Sequence, residues 1–153
     1  MKRYVIRHGV SSANDKDSPA FGSPDAHLLE KGKQQARALV EPLSCINIQA
    51  SVATSELLRT QETAHEAGFT NIARYAILNE LTTELSLKEL TATLEHKIVP
   101  HAGIHRAEEI LSNPPSEIVW FTHGLVIASL CEVLGVSQDR FIPRFCEIRE
   151  LDI

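Results

Sequence analysis

Aromatic side chains are scarce in this chain of 153 residues, in which Phe, Trp and Tyr together make up 5%. A platform of stacked aromatic rings for nucleic-acid bases therefore has little to build on. Acidic residues outnumber basic ones, since 20 Asp and Glu against 15 Lys and Arg give a formal net charge of -5. This balance argues against binding to the phosphate backbone of nucleic acids. We expect no nucleic-acid partner.

Long apolar runs and paired cysteines are also missing. No stretch reaches the length that crosses a bilayer. The apolar run at the amino terminus is flanked by charged residues and is too short for the core of a secretory signal. The three cysteines, Cys45, Cys131 and Cys146, form no Cys-x-x-Cys pair and are odd in number. These absences predict a cytoplasmic protein with no membrane partner.

No position divides the chain into smaller units. It has no internal repeat, low-complexity tract or linker rich in Pro, Gly or Ser. A chain of this length suits one compact domain, which can bury roughly two-thirds of its unfolded surface without a disulfide or a metal. We expect a single domain over residues 1–153.

Short apolar segments alternate with segments of helical periodicity. Strands are predicted at residues 3–6, 46–53, 73–78, 118–121 and 146–153, and helices at 30–42, 56–68, 86–94, 104–111 and 124–134. This alternation indicates an α/β fold, a three-layer sandwich whose mostly parallel central sheet has helices on both faces.

Two His-Gly pairs follow predicted strands directly, in Arg7-His8-Gly9 and in Phe121-Thr122-His123-Gly124. Open α/β sheets bind ligands at the carboxyl ends of their strands, where helix amino termini also point. Arginine offers a planar fork for two phosphate oxygens, and neutral histidine offers a nucleophilic nitrogen. Each histidine alone could be a satisfied core residue, but their shared setting favours a functional pair. No His-x-His or His-Glu-x-x-His spacing supports a metal site, and none is predicted.

The order of motifs along nearly the whole chain resembles that of the histidine phosphatase superfamily, which includes cofactor-dependent phosphoglycerate mutases and many small phosphatases. The matching segments are Arg7-His8-Gly9 with Ser11 and Asn14 after it, Asp25 to Ala36, Ser55 to Thr63 with Arg59, the Asn79-Glu80 pair, and His123-Gly124. Two positions depart from the family pattern. Val10 stands where many relatives carry Glu or Gln, and Leu29 stands where Ser or Thr usually begins the helix.

The resemblance implies a role for each matching residue. His8 would become phosphorylated, with Glu80 as the general acid and His123 as a second catalytic histidine. Glu84 lies close by in sequence and could replace Glu80 as the acid. The phosphate-binding residues would be Arg7, Asn14, Arg59, His123 and Gly124, although Asn14 and Ser11 could simply cap the loop. No cofactor is implied, since guanidinium groups would supply the positive charge.

The predicted function is that of a metal-independent phosphatase acting through a phosphohistidine at His8. Its substrate partner would be a phosphorylated small molecule or a phosphoprotein, including protein phosphohistidine. Larger relatives insert a lid between the positions of Glu80 and His123, and the shortness of this segment predicts little or no lid here. Two alternatives stay open: a phosphoglycerate-type mutase, and a catalytically weak module that binds phosphorylated ligands.

Overall fold

The computed structural model describes residues 1–153, the side chain of Thr83 excepted. Over these residues the chain alternates strands and helices as the sequence predicts. The strands are β1 (Lys2–Arg7), β2 (Val52–Thr54), β3 (Ile72–Arg74), β4 (Val119–Thr122) and β5 (Ile148–Asp152). The α-helices are α1 (Glu30–Arg37), α2 (Leu58–Glu66), α3 (Leu87–His96), α4 (His101–Ser112) and α5 (Gly124–Val133).

The five strands form one sheet in the order β3-β2-β4-β1-β5. Strand β4, in which every residue is buried, lies in the middle. It pairs in parallel with β1 and β2, and β2 pairs in parallel with β3, while β5 runs antiparallel to β1 at the edge. The prediction of a mostly parallel central sheet is confirmed.

Two apolar clusters cover the two faces of the sheet, because alternate residues of a strand point to opposite sides. On one face, Val5 and Trp120 pack with Ile127 and Leu130 of α5 and Ile110 of α4. On the other face, Ile6 and Phe121 pack with Ala64 of α2 and with the chain after α1, where Leu39 and Leu43 are buried. The result is the expected three-layer sandwich with helices on both faces.

Two predicted elements are shorter than their sequence pattern suggests. The helix expected over 30–42 ends at Arg37 and continues as turns, because Pro42 has no N–H to donate and its ring disfavours helix at this point. In place of the strand expected over 46–53, the structure has the short strand Val52–Thr54. Before it, the side chain of Asn47 accepts a hydrogen bond from the backbone N–H of Gln49, which closes a turn.

The strand predicted over 73–78 is wrong in its second half. It ends at Arg74, after which Tyr75 donates a last backbone hydrogen bond to Thr54 at 2.8 Å. Residues Ala76–Leu78 form a 3₁₀ turn instead. Since β2 is only three residues long, β3 has no neighbour along which to continue.

The loop after β1 is held against α1 by a close backbone approach. A Cβ on Gly9 would lie 2.5 Å from the carbonyl oxygen of Gly32, and a Cβ on Gly32 would overlap the carbonyl oxygen of Val10. Val10 in turn accepts a backbone hydrogen bond from Leu29 at 3.0 Å. Glycine at 32 therefore lets α1 lie directly against the segment that carries His8.

We predict that Gly32→Ala lowers the free energy of unfolding by about 2–3 kcal/mol, since the added methyl meets backbone rather than a movable side chain. Urea unfolding followed by circular dichroism measures the change. The control is Lys31→Ala at the exposed neighbouring helix position, expected to change stability by less than about 0.5 kcal/mol. Equal effects of the two substitutions would contradict the close approach.

Candidate active site

The carboxyl ends of three neighbouring strands bring His8, Ser55 and His123 together. The register pairs Arg7 with Thr122 and Thr54 with Phe121, so His8 is level with His123 and Ser55 lies one residue earlier. The His8 N–H donates to the carbonyl oxygen of Thr122 at 3.1 Å. The rings of His8 and His123 meet edge to face, with centroids 5.1 Å apart.

The imidazole of His8 presents an unprotonated nitrogen toward Arg59. Its Nδ1–H donates to the carbonyl oxygen of Gly9 at 2.7 Å, which leaves the lone pair on Nε2. The Nε–H of Arg59 donates to this Nε2 at 3.3 Å. Burial, followed by the charge of Arg59, lowers the pKa of His8 from 6.5 to about 3. A neutral imidazole of this kind is a nucleophile at neutral pH.

His123 is fully buried, and one of its ring nitrogens has a hydrogen-bond partner among the described residues while the other has none. Its Nε2 lies 2.8 Å from the hydroxyl oxygen of Ser55. Its Nδ1 has no hydrogen-bond partner among the described side chains and backbone atoms. If the Ser55 hydroxyl donates to Nε2, then Nδ1 carries the proton and is a donor for an anion. Burial chiefly, then the nearby His8 and Arg59, hold the pKa of His123 well below its ordinary value.

Arg7 is held in place by residues near the other end of the chain. Its Nη1 donates to the carbonyl oxygen of Pro143 at 2.8 Å, and its guanidinium lies 3.9 Å from the ring centroid of Phe145. The Nε of Arg7 is buried without a partner among the described residues. A Cβ on Gly124 would lie 2.8 Å from the Cγ2 of Ile142, so glycine there accommodates this side chain, while the guanidinium of Arg7 packs at ordinary van der Waals distance. Burial lowers the pKa of Arg7.

Arg59 stands in the first turn of α2, and the same helix is bonded to the loop of His8. Thr63 donates its hydroxyl proton to the carbonyl oxygen of Arg59 at 2.6 Å and accepts the N–H of Gly9 at 3.0 Å. The Nη1 of Arg59 donates to the carbonyl oxygen of Ser23 at 3.4 Å. Thr63 thus joins the helix that carries Arg59 to the loop that follows His8.

Glu80 lies at the amino terminus of α5 and close to both arginines. Its two carboxylate oxygens accept the N–H groups of Leu81 at 3.0 Å and Leu125 at 3.3 Å. Burial raises its pKa, against these two hydrogen bonds and the charges of Arg59 and Arg7, which lower it. A carboxyl group with a raised pKa beside a nucleophile is typical of a general acid.

The other candidate acid, Glu84, is engaged elsewhere. Its carboxylate forms an ion pair with Arg106 of α4. A small pocket of about 90 Å³ is instead bordered by Arg59 and Glu80. Its lining residues are Gly22, Pro24, Leu57, Arg59, Asn79, Glu80 and Thr82.

Asn14 has a capping contact in this structure. Its side-chain oxygen accepts the backbone N–H of Ser11 at 3.1 Å and lies 3.0 Å from the Ser11 hydroxyl, at the start of the 3₁₀ turn Ser12–Asn14. The side chain is exposed. The capping alternative therefore has direct geometric support, and phosphate binding by Asn14 stays a prediction.

Several residues that shape the site received no role in the sequence analysis. Ser55 and Thr63 are the first and last residues of the segment around Arg59 that matches the family pattern, so this match could have indicated a role for both. Phe145 and the carbonyl of Pro143 carried none, because their contact with Arg7 joins segments more than a hundred positions apart in sequence.

The arrangement defines a class of site. Two arginines and two histidines lie close together at the carboxyl ends of the strands, with a protonatable carboxyl group beside them. Such a set suits phosphoryl transfer, in which charge spreads over three oxygens and catalysis rests on positioning and electrostatics. Among the described residues, no group of three or more His, Cys, Asp or Glu side chains is placed to hold a metal ion. Within the same residues, no helix is long and apolar enough to cross a membrane.

Comparison with known proteins agrees with this class. A sequence profile of the histidine phosphatase superfamily (branch 1) matches residues 3–98. The match covers more than half of the chain, and the chain belongs to this superfamily. No curated protein sequence matches it.

Solved structures share the fold at low sequence identity. A phosphoglycerate mutase from Thermus thermophilus is 24% identical, with a TM-score of 0.72 over 99% of this chain and 93% of that one. A mycobacterial glucosyl-3-phosphoglycerate phosphatase, solved in complex with VO3, is 19% identical, with a TM-score of 0.64 over 99% and 90% of the two chains. At these identities the likeness shows the fold alone.

We predict that His8 makes the protein less stable in mild acid. Below pH 6.5 the unfolded chain protonates His8, while the folded protein keeps it neutral down to about pH 3, so the free energy of unfolding falls as the pH falls. Between pH 7 and pH 5 the His8 contribution is about 2 kcal/mol. His8→Asn should therefore lose about 2 kcal/mol less than the native chain over this interval.

Urea unfolding at pH 7, 6 and 5 measures the difference. His65→Asn, at an exposed position of α2, is the control for replacing a histidine on the surface. If the His8 variant follows the native curve, then His8 is not held neutral in the folded protein.

Proposed function

We propose that this protein is a metal-independent phosphatase that hydrolyses phosphate monoesters, or protein phosphohistidine, through a phosphohistidine formed at His8. The observation that carries the proposal is the set of unsatisfied nitrogens around His8. The Nε2 lone pair of His8 lies beside Arg59, while Arg7 Nε and His123 Nδ1 are buried without partners among the described residues. Buried polar atoms cost stability unless a partner is present. The oxygens of a phosphoryl group can accept hydrogen bonds from the Arg7 and His123 nitrogens, while its phosphorus accepts the lone pair of His8.

In the first step, His8 Nε2 attacks phosphorus as Arg59 turns its Nε–H from the histidine to a phosphate oxygen. An N–P bond forms and the bond from phosphorus to the leaving group breaks. The leaving oxygen, or nitrogen, takes a proton from Glu80, whose raised pKa favours the protonated form. Arg7, Arg59, His123 and the amino terminus of α5 stabilise the charge on the equatorial oxygens.

In the second step, the Glu80 carboxylate removes a proton from water as the water oxygen attacks phosphorus. A P–O bond forms and the N–P bond breaks, which returns the electron pair to His8 Nε2. The hydrogen bond from His8 Nδ1 to Gly9 keeps the ring in one orientation and tautomer throughout. Inorganic phosphate leaves, and Glu80 is again protonated.

A mutase would need a pocket that retains the phosphorylated intermediate for transfer back to its own carbon skeleton. The chain between Glu80 and His123 contains only a short 3₁₀ turn (Leu81–Thr83), α3, α4 and β4. We infer a single domain with little lid over the site, which favours hydrolysis. A binding module is less well supported, since it would need neither a nucleophile nor a carboxyl group with a raised pKa.

We predict turnover of p-nitrophenyl phosphate in the presence of EDTA, with an acid-labile phosphoenzyme after rapid quenching. His8→Ala should lose at least about 10³-fold in kcat/KM, because the nucleophile is gone. His65→Ala, at an exposed helix position, is the matched control. Full turnover by the His8 variant, or turnover that requires a divalent metal, would exclude the proposed mechanism. Rapid interconversion of phosphoglycerates would instead identify a mutase.

We also predict that the alkaline side of the kcat/KM profile depends on Glu80. The protonated form is the active one, and its pKa is raised, so activity falls as the pH rises through that value. Glu80→Gln cannot lose a proton, and its profile should lack this descent at a level about 10²-fold lower. Profiles measured with one alkyl phosphate make the comparison, since ionisation of the substrate is then common to both proteins. If the kcat/KM of the variant also falls at alkaline pH, then the group that titrates is not Glu80.

A further inference from the structure

Arg106 is a buried cation outside the pocket bordered by Arg59 and Glu80, which we call the phosphate pocket, and its partners share one segment of the chain. It lies on α4 and is only 8% exposed. Its Nη1 donates to the carbonyl oxygens of Asn79 at 2.6 Å and Ile77 at 3.2 Å, and its Nη2 pairs with the carboxylate of Glu84. Every one of these acceptors belongs to residues 77–84, the segment that carries Glu80.

The bonds bracket Glu80 closely. One carbonyl precedes it directly, a second lies three residues before it, and the carboxylate of Glu84 lies four residues after it. The segment departs from β3 and forms no ladder with the sheet, so it depends on side chains for its position. Thr122 of β4 contributes one more contact by donating its hydroxyl proton to the carbonyl oxygen of Leu78 at 2.7 Å.

The position of the segment decides where the carboxyl group of Glu80 lies. That group reaches the N–H of Leu125 in the first turn of α5, which places it beside the pocket bordered by Arg59. Helices α4 and α5 pack so closely that a Cβ on Gly103 of α4 would overlap the Ser129 hydroxyl of α5. Arg106 therefore connects the Glu80 segment to the same pair of helices that holds its hydrogen-bond donor.

We propose that Arg106 is a positioning residue that holds Glu80 at the place where it can protonate the leaving group. The proposal rests on the proposed function, since it needs Glu80 to be the general acid. It assigns to α4, which contributes no side chain to the phosphate pocket, a part in the choice of substrate. Phosphoesters with poor leaving groups need the acid and therefore need Arg106, whereas esters with good leaving groups do not.

Arg149 provides a matched control. It is also a buried arginine, 4% exposed, and its donors meet the Glu147 carboxylate at 2.9 Å, the Arg140 carbonyl oxygen at 2.7 Å and the Cys131 sulfur at 3.7 Å. None of these partners belongs to the Glu80 segment. A loss of stability from removing a buried guanidinium is common to both positions, while an effect through Glu80 is specific to Arg106.

The experiment compares kcat/KM for benzyl phosphate and p-nitrophenyl phosphate, which are similar in size but release an alkoxide and a stable phenolate. This constant reports phosphorylation of His8, the step in which the leaving group departs. Glu80→Gln should lower the benzyl-to-nitrophenyl ratio about 10²-fold, and Arg106→Met about tenfold or more, because general acid catalysis contributes at least this much to poor leaving groups. Arg149→Met should keep the ratio within about twofold of the native value.

The ratio is taken on one preparation, so it does not depend on the fraction of protein that is folded. Arg106→Lys is the second variant; it keeps the charge but cannot bond all three acceptors at once, and its ratio should fall between those of the native chain and Arg106→Met. If both Arg106 variants lower the two substrates equally while Glu80→Gln discriminates, then Arg106 is only structural. If Glu80→Gln does not discriminate either, then the proposed general acid is wrong, and the positioning role falls with it.

Discussion

The register of β4 between β1 and β2 is the constraint on which the site depends. Parallel pairing places Arg7 beside Thr122 and Thr54 beside Phe121, so the three strands end within one residue of each other and their next residues lie close together. A slip of one residue in either pair would turn every side chain of the moved strand to the opposite face. The buried residues of β4 make such a slip costly, because Trp120 and Phe121 fill different cores on the two faces.

The residues that meet at the carboxyl ends of the strands also concentrate positive charge in a protein that is acidic overall. Arg7 and Arg59 lie beside His8, and burial, followed by the neighbouring charges, lowers the pKa of both site histidines. The formal net charge of -5 is therefore no guide to the potential in the pocket. The unsatisfied nitrogens of Arg7 and His123 are a local cost in stability, of a kind that folded proteins carry where a binding site must be ready for its ligand.

The sequence was most informative where a residue's partners are set by strand order or by local periodicity. The strand ends at Arg7 and Thr122, the helix after Gly124 and the placement of Arg59 near a helix start all follow from short patterns. Prediction failed where a local preference competes with tertiary contacts. Residues Ala76–Leu78 have the composition of a strand, yet β2 is too short to pair with them, and Arg106 binds the carbonyl of Ile77 instead.

The same distinction explains why Glu80 and Glu84 could not be separated by sequence. Both follow the short strand β3 in a segment without periodicity, and their different environments come from elements far along the chain. The first turn of α5 donates to Glu80, and α4 supplies the arginine that pairs with Glu84. The carboxyl group of Glu80 thereby lies near Arg59 and Arg7 with a raised pKa, while that of Glu84 pairs with Arg106. The different environments of these two nearby glutamates are thus a property of helix packing, because each is set by a contact with α4 or α5.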